Sequence, residues 1–236
     1  ALQDATHPIV AAGVAFFAKT RRVDGVLQGG PTLSAEGSYT MGYPLAVLGA
    51  VRHERAQAED AVRQLLGRRD RLWHEGALWL RHDDQGRRTF RNWARGVTWH
   101  FLGLVRALPY LRQAGVEVGE IEAEIRRVAA LARLHQRPDG LWNCFIDDRA
   151  GIPDASGSAG IATALALGAR AGVLGADDLT AARKAIPALE AKLTPDGFLG
   201  GVAQGNRGGE ELQRSDYRVL STMGMGLLAQ ALAATR

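Results

Sequence analysis

The segment "NWARGVTWHF" at residues 92–101 sets two indoles, a guanidinium and an imidazole within two turns of a helix: Trp93, Trp99, Arg95 and His100. Aromatics this close serve either as core filler or as flat platforms on which a sugar ring stacks. Arg95 between two tryptophans shifts the balance toward the platform, because a buried Arg requires an acidic partner or an acidic ligand. Its planar fork matches a carboxylate in two-point contact. Trp79 and Trp142 lie in turn-rich segments, and Trp142 is a further candidate to line a sugar subsite.

Carboxylates that could give and take a proton lie between the helical stretches. Asp83 with Asp84, and Asp147 with Asp148, are each either a solvated turn or an acid/base couple, and Asp154 stands alone. Asp216, Tyr217 and Arg218 open the last apolar segment, where Asp216 is either an N-cap or a site residue. Of the six histidines only His100 sits in a suggestive cluster. The others lack metal-ligand spacing.

These side chains need elements to position them, and the chain repeats itself. "VDGVLQGG", "HEGALWLRHDD", "PDGLWNCFIDD" and "PDGFLGGVAQG" each carry an acid, then Gly, then apolar residues, with the glycines at 25, 76, 140 and 197. An acid–Gly pair marks a chain reversal, since Gly accepts positive φ at little cost. Amphipathic segments precede three of these turns, as in "EIEAEIRRVAALARLHQR", whose Ile121, Ile125, Val128, Ala129 and Leu131 share one helical face. Small, weakly charged segments follow: "GYPLAVLGAVRH", "RGVTWHFLGLVRALPYL", "SGSAGIATALALGARAG" and "RVLSTMGMGLLAQALA". A helix apolar nearly all round is a buried one. The order outer helix, hairpin, inner helix, four times over, predicts an almost all-α stack of about eight helices, with strand only at the four hairpins.

Length and composition agree with one domain over 1–236, undivided by any Pro- or Ser-rich linker. No apolar run is long enough to span a bilayer. The start lacks signal-peptide features, and the single cysteine, Cys144, excludes an internal disulfide and a cysteine-rich zinc site, so a cytoplasmic location is expected. The net charge of +4 comes from arginines placed singly on helix faces and in loops such as "GRRDR" and "QGRRTFR". They read as solvated surface, with no nucleic-acid or membrane partner, and an acidic small substrate stays open.

The motifs resemble a family. "WARGVTW" at 93–99 is similar to the W-x-R-G-x-x-W segment of unsaturated glucuronyl and rhamnogalacturonyl hydrolases, glycoside hydrolase families 88 and 105. "DGLWNCFIDD…PDASGSAGIATALALGARAG" and "YRVLSTMGMGLLAQALA" resemble their later segments. The resemblance implies an (α/α)6 toroid, six helical hairpins in a ring. It also implies oligosaccharide substrates carrying an acidic sugar with a C4=C5 double bond, left by polysaccharide lyases. An acid protonates the enol ether, water adds at C5, and the hemiketal opens to release the aglycone, a reaction that implies neither a metal nor an organic cofactor.

Carried over by position, Trp93, Arg95 and Trp99 match the family's motif and would line the subsite, with Arg95 as carboxylate anchor, and Ser156 and Ser158 match the small-residue helix start; His100, Gln28, Trp142 and Arg218 are further substrate-binding candidates. Gln28 stands where the family has a His. "TLSAEGSYTMG" offers Glu36, or Gly37 under another gap placement, where the family has its catalytic Asp, so Glu36 is the expected catalytic acid. The family's other important Asp would precede residue 1. Four hairpins are two short of six. The expectation is therefore an array incomplete at its N-terminal side, weak or inert alone and prone to self-association. The alternative is a degenerate or partial toroid serving as a sugar-binding or assembly module.

Overall fold

The computed structural model describes Asp4 and residues 6–236, and these are mainly helical. Nine α-helices occur among the described residues: α1 Pro8–Lys19, α2 Tyr43–Val51, α3 Arg55–Leu72, α4 Ala94–Gln113, α5 Gly119–Leu134, α6 Ala155–Arg170, α7 Ala176–Glu190, α8 Gly209–Arg214 and α9 Thr222–Thr235. Helices α2, α4, α6 and α9 form an inner row in which each packs on the next. Helices α3, α5 and α7 back this row, and α1 lies on α2 where Gly13 meets Leu48. The one helix beyond the expected eight is the short α8.

The inner row is close because its residues are small. A Cβ at Gly160 would stand 2.1 Å from Thr98 Cγ2, and one at Gly157 would stand 2.5 Å from Ala94 Cβ, so α4 and α6 approach nearly backbone to backbone. Every residue from Ala155 to Ala166 of α6 is buried. Helix α5 buries one face only, through Ile121, Ile125, Val128, Ala129 and Ala132, as its spacing requires. No helix is long and apolar enough to cross a membrane among the described residues.

The four acid–Gly turns are of two kinds rather than equivalent. At Asp24–Gly25, between β1 Arg22–Val23 and β2 Val26–Leu27, both residues have positive φ, and so do Glu75–Gly76, between β4 Trp73–His74 and β5 Ala77–Asp83. That is the type I′ signature of a two-residue hairpin. At Pro138–Asp139–Gly140 and Pro195–Asp196–Gly197 only the glycine is left-handed. Proline favours the right-handed first half of a type I turn, and the glycine then forms a bulge. The turn closes through Arg137 N–H to Leu141 O at 2.9 Å, and through Thr194 N–H to Phe198 O at 2.8 Å.

Strand is not confined to these turns. Strand β5 also pairs with β3 Thr32–Ser34 and with β6 Arg88–Arg91, and β7 Val202–Ala203 pairs with β8 Arg218–Val219. The sheet around β5 covers one rim of the helices. The stretch 138–148, read as a hairpin, instead crosses that rim. Cys144 O accepts from Ala94 N–H at 2.8 Å, and Ile146 N–H donates to Asn92 O at 2.9 Å. It thereby fixes the residues that open α4.

Candidate active site

A cavity of about 470 Å³ opens on this rim, lined by Glu36, Tyr39, Thr40, Trp93, Arg95 and Trp99 on one side. Gly205, Asn206, Arg207 and Met223 close the other. Glu36 follows β3, held by Ala35 N–H to Leu80 O at 2.9 Å, and precedes a π-helical turn at Ser38–Gly42 that leads into α2. Such turns often sit at functional sites. The turn reaches α4 because position 103 is Gly: a Cβ there would lie 2.4 Å from the Ser38 carbonyl carbon. The Glu36 carboxylate accepts only a long hydrogen bond, from Asn206 Nδ2 at 3.4 Å. Trp99, half-buried, packs its ring 5.4 Å from that of Tyr39 and presents an apolar wall.

Arg95 is held on three sides. Its guanidinium lies 4.5 Å above the Trp93 ring, its Nη2 donates to Gln204 O, and its Nε stands 3.8 Å from Asp154 Oδ2. Asp154 is wholly buried and caps α6 by accepting from Ser156 N–H at 3.1 Å and Gly157 N–H at 3.2 Å. It also accepts from Ala203 N–H at 3.0 Å, which ties β7 to the helix. Asp154, considered a free acid in the sequence, is therefore a cap and the counter-charge of Arg95. Trp93 is buried, with its indole N–H bonded to Gln213 Oε1 at 3.1 Å.

Six sequence candidates fall outside this cavity. His100 is fully buried between Ser38 Oγ, 2.9 Å from its Nδ1, and Glu124 Oε1, 3.0 Å from its Nε2. It points away from the rim because α4 turns it toward α5. Trp142 is fully buried, with its indole donating to Ala132 O at 2.7 Å. Ser156 is fully buried, with its hydroxyl donating to Asp154 at 2.8 Å, and Ser158 is bound to the Trp142 backbone. Arg218 sits on β8 and donates to the carbonyls of Pro153 and Ser215. It does not begin the last helix, since α9 starts at Thr222 with Ser221 before it, so Asp216 caps nothing there. Gln28 lines an adjoining pocket, which shares Glu36 and Thr40 with the first.

The paired acids lie outside this cavity and face other partners. Asp83 accepts from the Gln85 and Arg87 amides to close a turn, and Asp84 faces Arg21 at 3.6 Å. Asp147 accepts from Arg91 and Asn92, and Asp148 from Arg214 at 2.9 Å. Cys144 is buried, and burial pushes its thiol up to about 12, with Asp154 adding to the shift. Among the described residues no three His, Cys, Asp or Glu side chains gather as a metal site.

Sequence reasoning did not single out Tyr39 and Met223, though both lie in segments quoted above, nor Asn206 and Arg207, which carry no motif, nor Arg68 and Arg81 of the adjoining pocket. Arg68, in "GRRDR", is buried at 1% exposure rather than solvated. A signal existed. Ala61, Gln64, Leu65, Arg68 and Leu72 follow helical spacing, which puts Arg68 on the buried face of α3.

The sequence profile of Glycosyl Hydrolase Family 88 matches residues 38–235. The unsaturated rhamnogalacturonyl hydrolase YesR of Bacillus subtilis (strain 168) is 31% identical over 123 residues, half of this chain and 36% of that protein. A crystal structure of a possible member of the GH105 family from Salmonella enterica serovar Paratyphi A superposes with a TM-score of 0.87 at 20% identity, covering 98% of this chain and 65% of that one. The unsaturated glucuronyl hydrolase of Bacillus sp. GL1 superposes with a TM-score of 0.74 at 18% identity, covering 94% of this chain and 66% of that one. The chain thus spans about a third of the curated relative and about two thirds of these structures. The helical array matches these enzymes, and by its sequence the chain belongs to glycosyl hydrolase family 88.

Proposed function

We propose that this chain carries the substrate-binding and acid-catalytic part of an unsaturated uronyl hydrolase, acting on oligosaccharides that end in a 4,5-unsaturated acidic sugar. The observation that supports this most is the meeting of Glu36, Trp99 and Arg95 on one open cavity in a chain of this family. Trp99 and Tyr39 form the wall for the flattened ring. Trp93 and Arg95 form the floor, fixed by Asp154. Glu36 donates its carboxylic proton to C4, which leaves a cationic C5 stabilised by the ring oxygen. Water then bonds to C5 and gives its proton back to the Glu36 carboxylate. The hemiketal opens and the aglycone leaves.

The test follows loss of the ultraviolet absorbance of the double bond in an unsaturated glucuronyl or galacturonyl disaccharide. Glu36→Gln, which keeps size and removes the acid, is expected to cut turnover by about 10²-fold or more while the sugar still binds. Unchanged turnover would reject Glu36 as the acid.

A second reading, a sugar-binding or assembly module without catalysis, draws on the partial span relative to the relatives. Binding of the disaccharide with no loss of absorbance would favour it.

A further inference from the structure

The adjoining pocket carries an unmatched positive charge, and its place beside Glu36 gives that charge a use. The pocket holds about 280 Å³ and is lined by Arg68, Arg81, Gln28, Ser34 and Gly37 together with Glu36. Arg68 is 1% exposed. Its Nη1 donates to Gln64 O at 3.0 Å, and its Nη2 donates to Leu27 O at 2.5 Å and contacts Met41 Sδ at 3.2 Å. All of these acceptors are neutral, and Nε has no partner. Burial, with Arg71 nearby, pushes the guanidinium down to about 10. Arg81 donates to Asn206 Oδ1 at 2.7 Å and lies 5.5 Å over the Phe90 ring. Among the described residues no carboxylate lies within 4.0 Å of either guanidinium. Arg95 Nε also lacks a hydrogen bond, but there a carboxylate, Asp154, stands 3.8 Å away as counter-charge.

A buried cation without a counter-charge is costly, and an arriving anion removes that cost. The chemistry says where the anion would be. In a 4,5-unsaturated uronide the carboxylate is bonded to C5, next to the C4 that takes the proton. The proton donor and the carboxylate anchor must therefore be neighbours. One side chain joins them here: Asn206 accepts from Arg81 and donates to Glu36 Oε1 at 3.4 Å.

We propose that Arg81, with Arg68 behind it, anchors the carboxylate of the unsaturated sugar, and that Arg95 does not. The proposal rests on the uronyl hydrolase reading and deepens it. An Arg fork opposite a carboxylate gives charge-assisted bonds whose loss weakens binding by about tenfold or more.

The experiment titrates the full chain, and its Arg81→Gln, Arg68→Met and Arg95→Gln variants, with an unsaturated glucuronyl disaccharide and with its carboxyl-reduced alcohol. Arg81→Gln is expected to weaken the acid about tenfold or more and to leave the alcohol within about twofold. Inorganic sulfate is expected to compete with the acid in the wild type and less so in Arg81→Gln. Arg81 is partly exposed and its loss leaves the core intact, so this arm stands even if Arg68→Met does not fold. Equal binding of the acid by wild type and Arg81→Gln overturns the anchor, as does equal loss of both sugars. Loss of acid selectivity in Arg95→Gln alone does so as well. A wild type that binds neither sugar fails the hydrolase reading itself, and the anchor with it.

Discussion

The carboxylate of Asp154 stands 3.8 Å from Arg95 Nε while capping the first turn of α6, so one buried acid serves a helix and a cation together. Removing one partner of a buried pair leaves the other uncompensated. Asp154→Ala is expected to destabilise the fold by about 3 kcal/mol, measured by urea unfolding. Asp154→Asn keeps a capping oxygen and should cost less.

Gly160 and Thr98 set the spacing of α4 and α6. Gly160→Ala would put a methyl 2.1 Å from Thr98 Cγ2 and 2.7 Å from Thr98 Oγ1. Overpacking of this kind costs about 1–3 kcal/mol. The double variant with Thr98→Ala should recover part of that loss, and a calorimetric melting series would check both.

Trp99 and Trp142 separate binding from stability. Trp142→Ala removes a fully buried indole and its bond to Ala132 O, at a cost of about 3–5 kcal/mol. Trp99→Ala removes the wall of the cavity and should weaken sugar binding by about tenfold with a much smaller change in unfolding free energy. Matching losses in both properties for Trp99→Ala would contradict this division.

Acid sensitivity is expected at Asp60. Burial raises its carboxyl, but bonds from Arg22 at 2.6 Å and from Gln64 at 3.0 Å outweigh burial and hold it below the usual range. A carboxylate depressed in the folded state adds stability above its unfolded pKa of about 3.9, and that stability is lost as pH falls through the lower folded value. Asp60→Asn should flatten the stability–pH curve below about pH 4 and leave its shape near pH 7 unchanged.

Alkaline sensitivity is expected at Cys144. Burial first, and then Asp154, push the thiol up to about 12. A group raised in the folded state loses its stabilising contribution as pH climbs from the unfolded pKa of about 8.5 toward the folded value. Cys144→Ala should remove that part of the decline above about pH 8.5. The native thiol should react with a disulfide reagent only as fast as the fold opens.

The helical order was legible because α5 and α6 state their burial in their own spacing: a stripe in one, an almost continuous apolar run in the other. The cluster of Trp93, Arg95 and Trp99 was legible as a motif. What decided the rest were partners far away in sequence. His100 looked like a site residue until Ser38 and Glu124, 62 and 24 residues distant, fixed both its nitrogens in the core. Arg68 looked solvated because charged neighbours masked its place on the buried stripe of α3. Asn206 and Arg207 come from an irregular Gly-rich stretch, and nothing local to it predicts which wall it will form.

The inner row has consequences for how the molecule breathes. Each helix in it leans mainly on its neighbours, so opening should begin at the ends and travel inward, as in a linear array. Amides of α1 and α9 should exchange hydrogen first, and those of α4 and α6 last. The cavity draws Glu36 from before α2, Trp99 from α4 and Met223 from α9. A sugar seated there would bridge distant members of the row and slow exchange even at α1, which lines no part of the cavity.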